Sequence, residues 1–307
     1  MIPRRVAAIL LALILCAGLV RPATGAPQGV ASAGKDHLYF NAWDTRQKRY
    51  VTDLKAEEIR LTENGGQQII GSLRAAREEP LVFGLLFDAS GSRVQQLPGA
   101  ERIPAKEFAK RVLLNGSRGF VATFDEDIRA KSDFTSSADA LASEIEKVFR
   151  IPPKAGSAFY DSISSCVPLF PGGQARQVLI VVSDGVDNAS RNPAQIALDD
   201  LASELPKYNL TVFVVLINNG LSRRSSVRAI ASARRLTQVT GGKHFIVWDH
   251  KEMQQAFEEI AGQLETQYVV DYDPNPPLIP GKFRKTKWAV ARPGVKVLAR
   301  PGYYPAP

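Results

Sequence analysis

Residues 81–92 read LVFGLLFDASGS, an apolar run that passes without a break into Asp88, Ser90 and Ser92. A continuous apolar stretch of this length is typical of a central strand that helices cover on both faces. The polar residues come next, at the carboxyl end of the predicted strand, which is the edge where open α/β sheets bind ligands. We therefore predict a buried strand followed by a loop of short oxygen-bearing side chains.

Two other pieces of the chain place similar side chains at similar points. Ser157 lies between Gly156 and Ala158 at the start of a predicted helix, and Asp184 stands in Ser183-Asp184-Gly185, which follows the apolar run at residues 178–182. Each piece alone has an ordinary explanation, since such residues also form turns, loops and helix N-caps. Their order and spacing, with alternating helices and strands between them, favour one shared site.

The chain between residues 80 and 272 alternates between helical and strand-like patterns. Apolar positions at helical spacing predict helices over residues 104–114, 138–149, 157–169, 193–205, 224–239 and 251–264. Strand-like runs occupy residues 119–124, 128–134, 178–183, 210–217, 244–248 and 268–272. This alternation predicts an α/β fold with a doubly wound, mostly parallel sheet of the Rossmann-like kind.

Both flanks of this region look like short β structure. Strand-like runs precede it, with a hairpin signal at Asn64 and Gly65, and a proline-rich linker at residues 273–277 leads to a second hairpin. Each flank is too small to be stable alone, so we expect the two to pair into one small β subdomain.

The first 25 residues have the order of a secretory signal. A basic start that contains Arg4 precedes an apolar stretch at residues 6–20, and small residues follow Arg21. We predict cleavage after Gly25, with Ala33 as the second choice, and hence export to the periplasm, the cell surface or the medium. An uncleaved membrane anchor is disfavoured, because a spanning helix needs about 20 apolar residues and Arg21 interrupts the run.

These patterns together predict four segments. They are a signal peptide at residues 1–25, a flexible lead and small β segment at 26–79, the α/β domain at 80–272, and a proline-rich linker with a C-terminal β hairpin and tail at 273–307. No membrane span is expected after signal cleavage.

The charge and the cysteines exclude some classes of function. The formal net charge is +8, and subtracting Arg4, Arg5 and Arg21 with the signal leaves +5. Nucleic-acid binding needs a concentrated basic stripe, whereas the densest cluster here, at residues 223–235, lies among small residues on one predicted helix, as expected of a solvated helix face. We expect no nucleic-acid partner. Cleavage also leaves Cys166 as the single cysteine, so no intramolecular disulfide can form.

The donor types at the predicted site suit a hard divalent cation. Mg²⁺ takes about six oxygen ligands in tight octahedral geometry and keeps some of its waters. Alternate residues of an extended turn can point the same way, which would gather Asp88, Ser90 and Ser92. Asp184 ends a strand predicted to lie beside that turn, and Ser157 opens the helix that faces it. Two carboxylates offset the charge of the ion and leave it open to an anionic oxygen from outside.

These pieces resemble the von Willebrand factor A domain, whose metal-ion-dependent adhesion site reads Asp-x-Ser-x-Ser, then Thr, then Asp. The matching positions here are Asp88, Ser90, Ser92, Ser157 and Asp184, with Ser157 where the family usually has Thr. The resemblance implies a bound Mg²⁺, or Mn²⁺ or Ca²⁺. It implies direct ligation by the three serines, and water-bridged or switchable roles for the two aspartates. It also implies a binding module whose metal takes an Asp or Glu from a protein partner.

The flanks resemble those of a bacterial secreted family of von Willebrand factor A-related proteins. The similarity lies in the Glu-Asn-Gly hairpin at residues 63–65 and in the Gly-Tyr-Tyr at residues 302–304. This resemblance implies an architecture and a binding site, and it does not indicate which partner is bound.

Two other classes of function stay open. A metal-free scaffold or assembly protein would keep the loop without the ion. A hydrolase is less favoured, because a haloacid dehalogenase-like enzyme needs a second Asp where Ser90 stands. The chain also lacks Gly-x-Ser-x-Gly, and its three histidines show no His-Glu-x-x-His spacing. We expect no enzymatic activity.

Overall fold

Fifteen strands and seven α-helices make up the part of the chain that the computed structural model describes, which is residues 36–172 and 175–305 without the side chains of residues 92–94. The predicted signal peptide at residues 1–25 lies outside the described residues. The strands are β1 (Asp36–Asp44), β2 (Arg49–Tyr50), β3 (Ile59–Glu63), β4 (Gly66–Gln68), β5 (Ile70–Ala75), β6 (Leu81–Asp88), β7 (Arg118–Phe124), β8 (Ile128–Lys131), β9 (Arg176–Ser183), β10 (Leu210–Ile217), β11 (His244–Val247), β12 (Tyr268–Tyr272), β13 (Arg284–Val290), β14 (Val295–Leu298) and β15 (Gly302–Tyr303). The helices are α1 (Gly91–Gln96), α2 (Arg102–Val112), α3 (Ala138–Val148), α4 (Phe159–Cys166), α5 (Ala194–Glu204), α6 (Arg223–Thr240) and α7 (His250–Glu265).

One sheet contains six strands in the order β11-β10-β9-β6-β7-β8. Five of them run parallel, and β8 folds back antiparallel to β7. Strands β6 and β9 are buried along their whole length, as their continuous apolar runs predict. The chain leaves β6 towards β7 on one side and returns to β9 on the other side. The strand order therefore reverses between β6 and β9.

Helices pack against both faces of this six-stranded sheet. Helices α2, α3 and α7 enclose one apolar cluster, which contains Phe108 and Phe257. Helices α4, α5 and α6 enclose a second cluster, which contains Phe159 and Leu236. Gly241 follows the last residue of helix α6, and its φ of 76° is the left-handed conformation that closes many helices and that favours glycine. The two layers fix the sheet and leave its carboxyl edge to the loops.

The remaining nine strands form two antiparallel sheets. One sheet has the order β14-β1-β12-β5, with β2 beside β1, and the other has the order β15-β13-β3-β4. Strand β1 pairs with β12 through its first half and with β14 through its second half. Phe40, Leu61 and Val270 lie in a third apolar cluster between these strands. The leading and trailing parts of the chain therefore pair with each other.

The predicted doubly wound, mostly parallel sheet is wrong as the fold class of this chain. The described residues have a mixed α/β fold with one mostly parallel sheet and two antiparallel sheets. The error concerns strand β12, which is mostly buried and follows α7, as a strand of the parallel sheet would. In the structure β12 pairs antiparallel with β1 and β5 instead. An apolar pattern does not reveal which sheet a strand joins. The two flanks do pair with each other, but they form two sheets, and one of these sheets also takes in β12.

The predicted boundaries after residues 25, 79 and 272 stay predictions. Within the described residues, no helix combines the length and the apolar character that crossing a membrane requires.

Candidate metal centre

The candidate site lies at the carboxyl ends of β6 and β9. These strands are parallel neighbours, and their register pairs Phe87 with Val182. Asp88 and Ser183 follow these two residues and therefore end the strands side by side. The strand order reverses at this point, and a crevice at such a position is the usual ligand site of an open α/β sheet.

Asp88 is at the centre of the hydrogen bonds in this crevice. Its side chain is buried, and its Oδ2 accepts a hydrogen bond from Ser183 Oγ at 2.6 Å and one from Ser157 Oγ at 3.3 Å. Its Oδ1 accepts from the backbone N–H of Ser90 at 2.8 Å. The structure therefore brings together Asp88 and Ser157, which are 69 residues apart in the sequence.

Asp184 lies next to Ser183 and is also buried. Its Oδ1 accepts from the backbone N–H of Val186 at 2.9 Å, and its Oδ2 accepts from Gln96 Nε2 at 3.1 Å. Its carboxylate is therefore oriented by a turn of its own loop and by the end of α1.

Ser90 and Ser92 belong to the loop and helix that follow β6. Ser90 is fully buried and occupies the N-cap position of α1, but its side chain makes no capping hydrogen bond. Ser90 Oγ has no hydrogen-bond partner among the described residues. Ser92 lies in α1, and its side chain lies outside the described part of the chain. Four of the five predicted residues are thus placed at this edge of the sheet, and the position of the fifth hydroxyl stays a prediction.

Hydrogen bonds donated by backbone N–H groups hold the three loops against each other. The N–H of Gly91 donates to the carbonyl of Lys154 at 2.7 Å, which joins the loop after β6 to the segment before α4. The N–H of Ser157 donates to Asn188 Oδ1 at 2.8 Å, and the N–H of Asn188 donates back to the carbonyl of Ser157 at 3.0 Å. The loop after β9 therefore fixes the segment that carries Ser157.

The sequence interpretation did not assign a site role to Ser183 or Gln96. Ser183 stood in the motif beside Asp184, and its position at the end of a buried strand was the available signal. Gln96 gave no signal, because a glutamine in a helix is most often a solvated surface residue. The side chain of Asn188, in the loop after β9, accepts a hydrogen bond from the segment that carries Ser157.

The donor set fits a hard divalent cation. Apart from the amides of Gln96 and Asn188, the side-chain groups described at this site are carboxylates and hydroxyls, whose oxygens suit Mg²⁺ and Mn²⁺. A buried hydroxyl without a partner is uncommon, and a cation would give Ser90 Oγ one. The described residues contain no group of three or more His, Cys, Asp or Glu that could hold a metal ion. A centre at this edge would therefore depend on serine hydroxyls as well as on its two carboxylates.

Solved structures resemble the chain at low sequence identity. The D319A mutant of the PilB minor pilin from Streptococcus sanguinis is 10% identical, over 76% of this chain and 88% of that one, with a TM-score of 0.52. Proximal thread matrix protein 1 from the mussel byssus is 17% identical, over 66% of this chain and 50% of that one, with a TM-score of 0.50. A von Willebrand factor type A structure from Catenulispora acidiphila is 13% identical, over 90% of this chain and 75% of that one, with a TM-score of 0.47.

No protein-family model matches the sequence, and no curated protein matches it significantly. Several von Willebrand factor A domains are among the similar structures, at 12–13% identity and with TM-scores of 0.44–0.48. At these identities the likeness concerns the fold alone and extends neither to a metal nor to a partner.

Proposed function

We propose that this chain is an exported binding module that holds Mg²⁺ or Mn²⁺ at the carboxyl edge of its parallel sheet and binds an acidic side chain of a protein partner through the ion. The observation that carries the proposal is the arrangement around Asp88. One buried carboxylate accepts hydrogen bonds from two hydroxyls, Ser157 in the segment before α4 and Ser183 at the end of β9. The hydroxyl of Ser90, which has no hydrogen-bond partner among the described residues, belongs to the same site.

The residues divide into two roles under this proposal. The hydroxyls of Ser90, Ser92 and Ser157 would hold the ion directly, while Asp88 and Asp184 would offset its charge, directly or through water. The ion would supply a positive charge with a coordination position for a carboxylate from outside. Ser157→Thr should preserve or improve the affinity for the ion, because it keeps the oxygen and adds a stiffer β-branched side chain.

Charge explains why the partner should bind only in the presence of the ion. Asp88 and Asp184 are both buried at this edge, so an approaching Asp or Glu meets two negative groups when no cation offsets them. With a divalent cation in place the same edge attracts a carboxylate. A metal-free scaffold would bind its partner equally well in a chelator, which distinguishes the two classes of function.

The direct test is calorimetric titration of Mg²⁺ into the wild type, Asp88→Ala and Asp127→Ala. Asp127 is an exposed aspartate in the loop after β7, so it provides the same substitution at an exposed side chain, whereas Asp88 is buried. We expect one ion per wild-type chain, at least a tenfold weaker affinity in Asp88→Ala, and no change in Asp127→Ala. Circular dichroism establishes whether each variant is folded. If Asp88→Ala is not folded, Asp88→Asn replaces it in the titration. Equal affinities in the wild type and the folded Asp88 variant would refute the site.

Partner binding is tested by affinity capture from the native host, with Mg²⁺ in one arm and a chelator in the other. A partner that the wild type captures only with Mg²⁺, and that folded Asp88→Asn does not capture, supports the proposal. Capture that is equal in both arms contradicts it.

Export rests on the predicted signal at the N-terminus. Intact-mass analysis of the protein from its native host should find a mature chain that begins near Ala26. A cytoplasmic species that retains Met1 would contradict this part of the proposal.

A further inference from the structure

Gln96 closes one side of the candidate metal centre. It is the last residue of α1, and its side-chain Nε2 donates to Asp184 Oδ2 at 3.1 Å. Its backbone carbonyl accepts from Asn219 Nδ2 at 3.1 Å, which ties the end of α1 to the loop after β10. The glutamine is therefore held in place from two directions and is partly buried.

The other end of the same amide is not satisfied. Gln96 Oε1 is buried and has no hydrogen-bond partner among the described residues. Reversing the amide would place Oε1 against the carboxylate of Asp184, where two acceptors repel each other, so the observed orientation is the favourable one without a cation. A buried carbonyl without a donor destabilises the protein unless something else occupies that position. Gln96 thus presents an unused oxygen beside a carboxylate of the candidate centre.

We propose that Gln96 is a further residue of the metal centre, whose amide carbonyl takes the bound cation or one of its waters. This inference rests on the proposed function. A glutamine adds an oxygen without adding charge, so the centre keeps the balance between two carboxylates and a divalent ion and remains attractive to an acidic partner. The unpaired Ser90 Oγ on the same loop and helix segment is a second buried oxygen that a cation would satisfy.

A purely structural role for Gln96 gives a different expectation. If the side chain only anchored the end of α1, removing its amide would change the stability of the protein and leave the affinity for the ion unchanged. The two roles are separated by measuring both quantities on the same variants.

The test uses three variants of the full chain. Gln96→Met keeps the length of the side chain and removes both polar atoms, Gln96→Glu keeps an oxygen and adds a charge, and Gln95→Met makes the matched change at the exposed neighbouring glutamine. Mg²⁺ affinity is measured by calorimetry, and thermal unfolding is measured in chelator. We expect about tenfold weaker binding for Gln96→Met, binding at least as tight as the wild type for Gln96→Glu, and wild-type binding for Gln95→Met.

The outcomes separate this inference from the proposed function. Wild-type protein that binds no ion would overturn both. If the wild type binds Mg²⁺ and Gln96→Met binds it equally well or more tightly, this inference alone fails and the metal centre stands. If Gln96→Met loses binding but is also unfolded in chelator, the Gln96→Glu variant decides between the two roles. Gln96→Glu must then be folded and bind the ion for the inference to hold.

Discussion

Glu63→Gln should destabilise the protein strongly, because it removes the charge from a buried ion pair between the leading and trailing parts of the chain. Arg284 Nε lies 2.6 Å from Glu63 Oε2, and the two side chains are 6% and 0% exposed. Glu63 Oε1 also accepts from the hydroxyl of Tyr272 at 2.7 Å, and an Nη of Arg284 donates to the carbonyl of Pro276 at 2.8 Å. The pair therefore joins β3 and β13 to the end of β12 and the linker after it.

The magnitude follows from the charge that is left behind. Glutamine keeps the shape and an acceptor for Tyr272, but the guanidinium of Arg284 then lies buried without an anion. Breaking a buried pair by removing one partner costs about 3–5 kcal/mol, against a total unfolding free energy of about 5–15 kcal/mol. With a urea slope of about 3 kcal/mol per M, the unfolding midpoint should fall by roughly 1–1.7 M.

Urea unfolding followed by circular dichroism measures this shift. Glu107→Gln is the matched control, because Glu107 pairs with Lys110 on the surface and both side chains are 55% exposed. The control should change the unfolding free energy by no more than ~0.5 kcal/mol. The double variant with Arg284→Met should recover much of the loss, since it leaves no unpaired buried charge. A midpoint shift for Glu63→Gln no larger than that of the control would refute the reasoning.

Three further predictions concern backbone strain, a thiol and pH. Gly185→Ala should destabilise by ~2–4 kcal/mol from backbone strain and overpacking, since its φ is +71° and an added Cβ would lie 2.8 Å from Leu216. Gly65→Ala, with φ +93° and open space around it, should cost about 1 kcal/mol; equal urea midpoints for the two variants would contradict this. Cys166 is buried and its thiol pKa is raised to about 12, so a thiol reagent at pH 8 should modify it only after unfolding, as peptide mass analysis would detect. Burial also raises the hydroxyl pKa of Tyr272, so the unfolded chain loses this proton at about pH 10 while the folded chain keeps it. Unfolding free energy should therefore fall above about pH 10, and a flat profile from pH 8 to 11 would count against this.

The sequence predicts the buried strands of the six-stranded sheet well, for a physical reason. Strands β6, β9 and β10 are covered on both faces, so almost every residue must be apolar, and this pattern is local. The turn between β3 and β4 is also local, because Asn64 and Gly65 both adopt positive φ there, as this dipeptide favours.

The sheet that each flanking strand joins is not a local property. Strand β1 pairs with β12 and β14, which lie more than 200 residues away in the chain. Nothing in the apolar pattern of either strand specifies that pairing, and this is why the fold class was predicted wrongly.

The candidate site shows the same limit. Asp88, Ser90, Ser157 and Asp184 could be named because short oxygen-bearing residues follow predicted strands or open a helix. Ser183 and Gln96 could not, since their roles depend on which carboxylate lies across from them in three dimensions.

The central claim is most directly tested by the anomalous difference map of a crystal grown with Mn²⁺. The account predicts one strong peak at the carboxyl ends of β6 and β9, with the hydroxyls of Ser90 and Ser157 about 2.1 Å from it. The same map from Asp88→Asn crystals should lack this peak. A wild-type map without a peak at this edge, or with its only peak elsewhere on the protein, would contradict the metal centre and favour a metal-free scaffold.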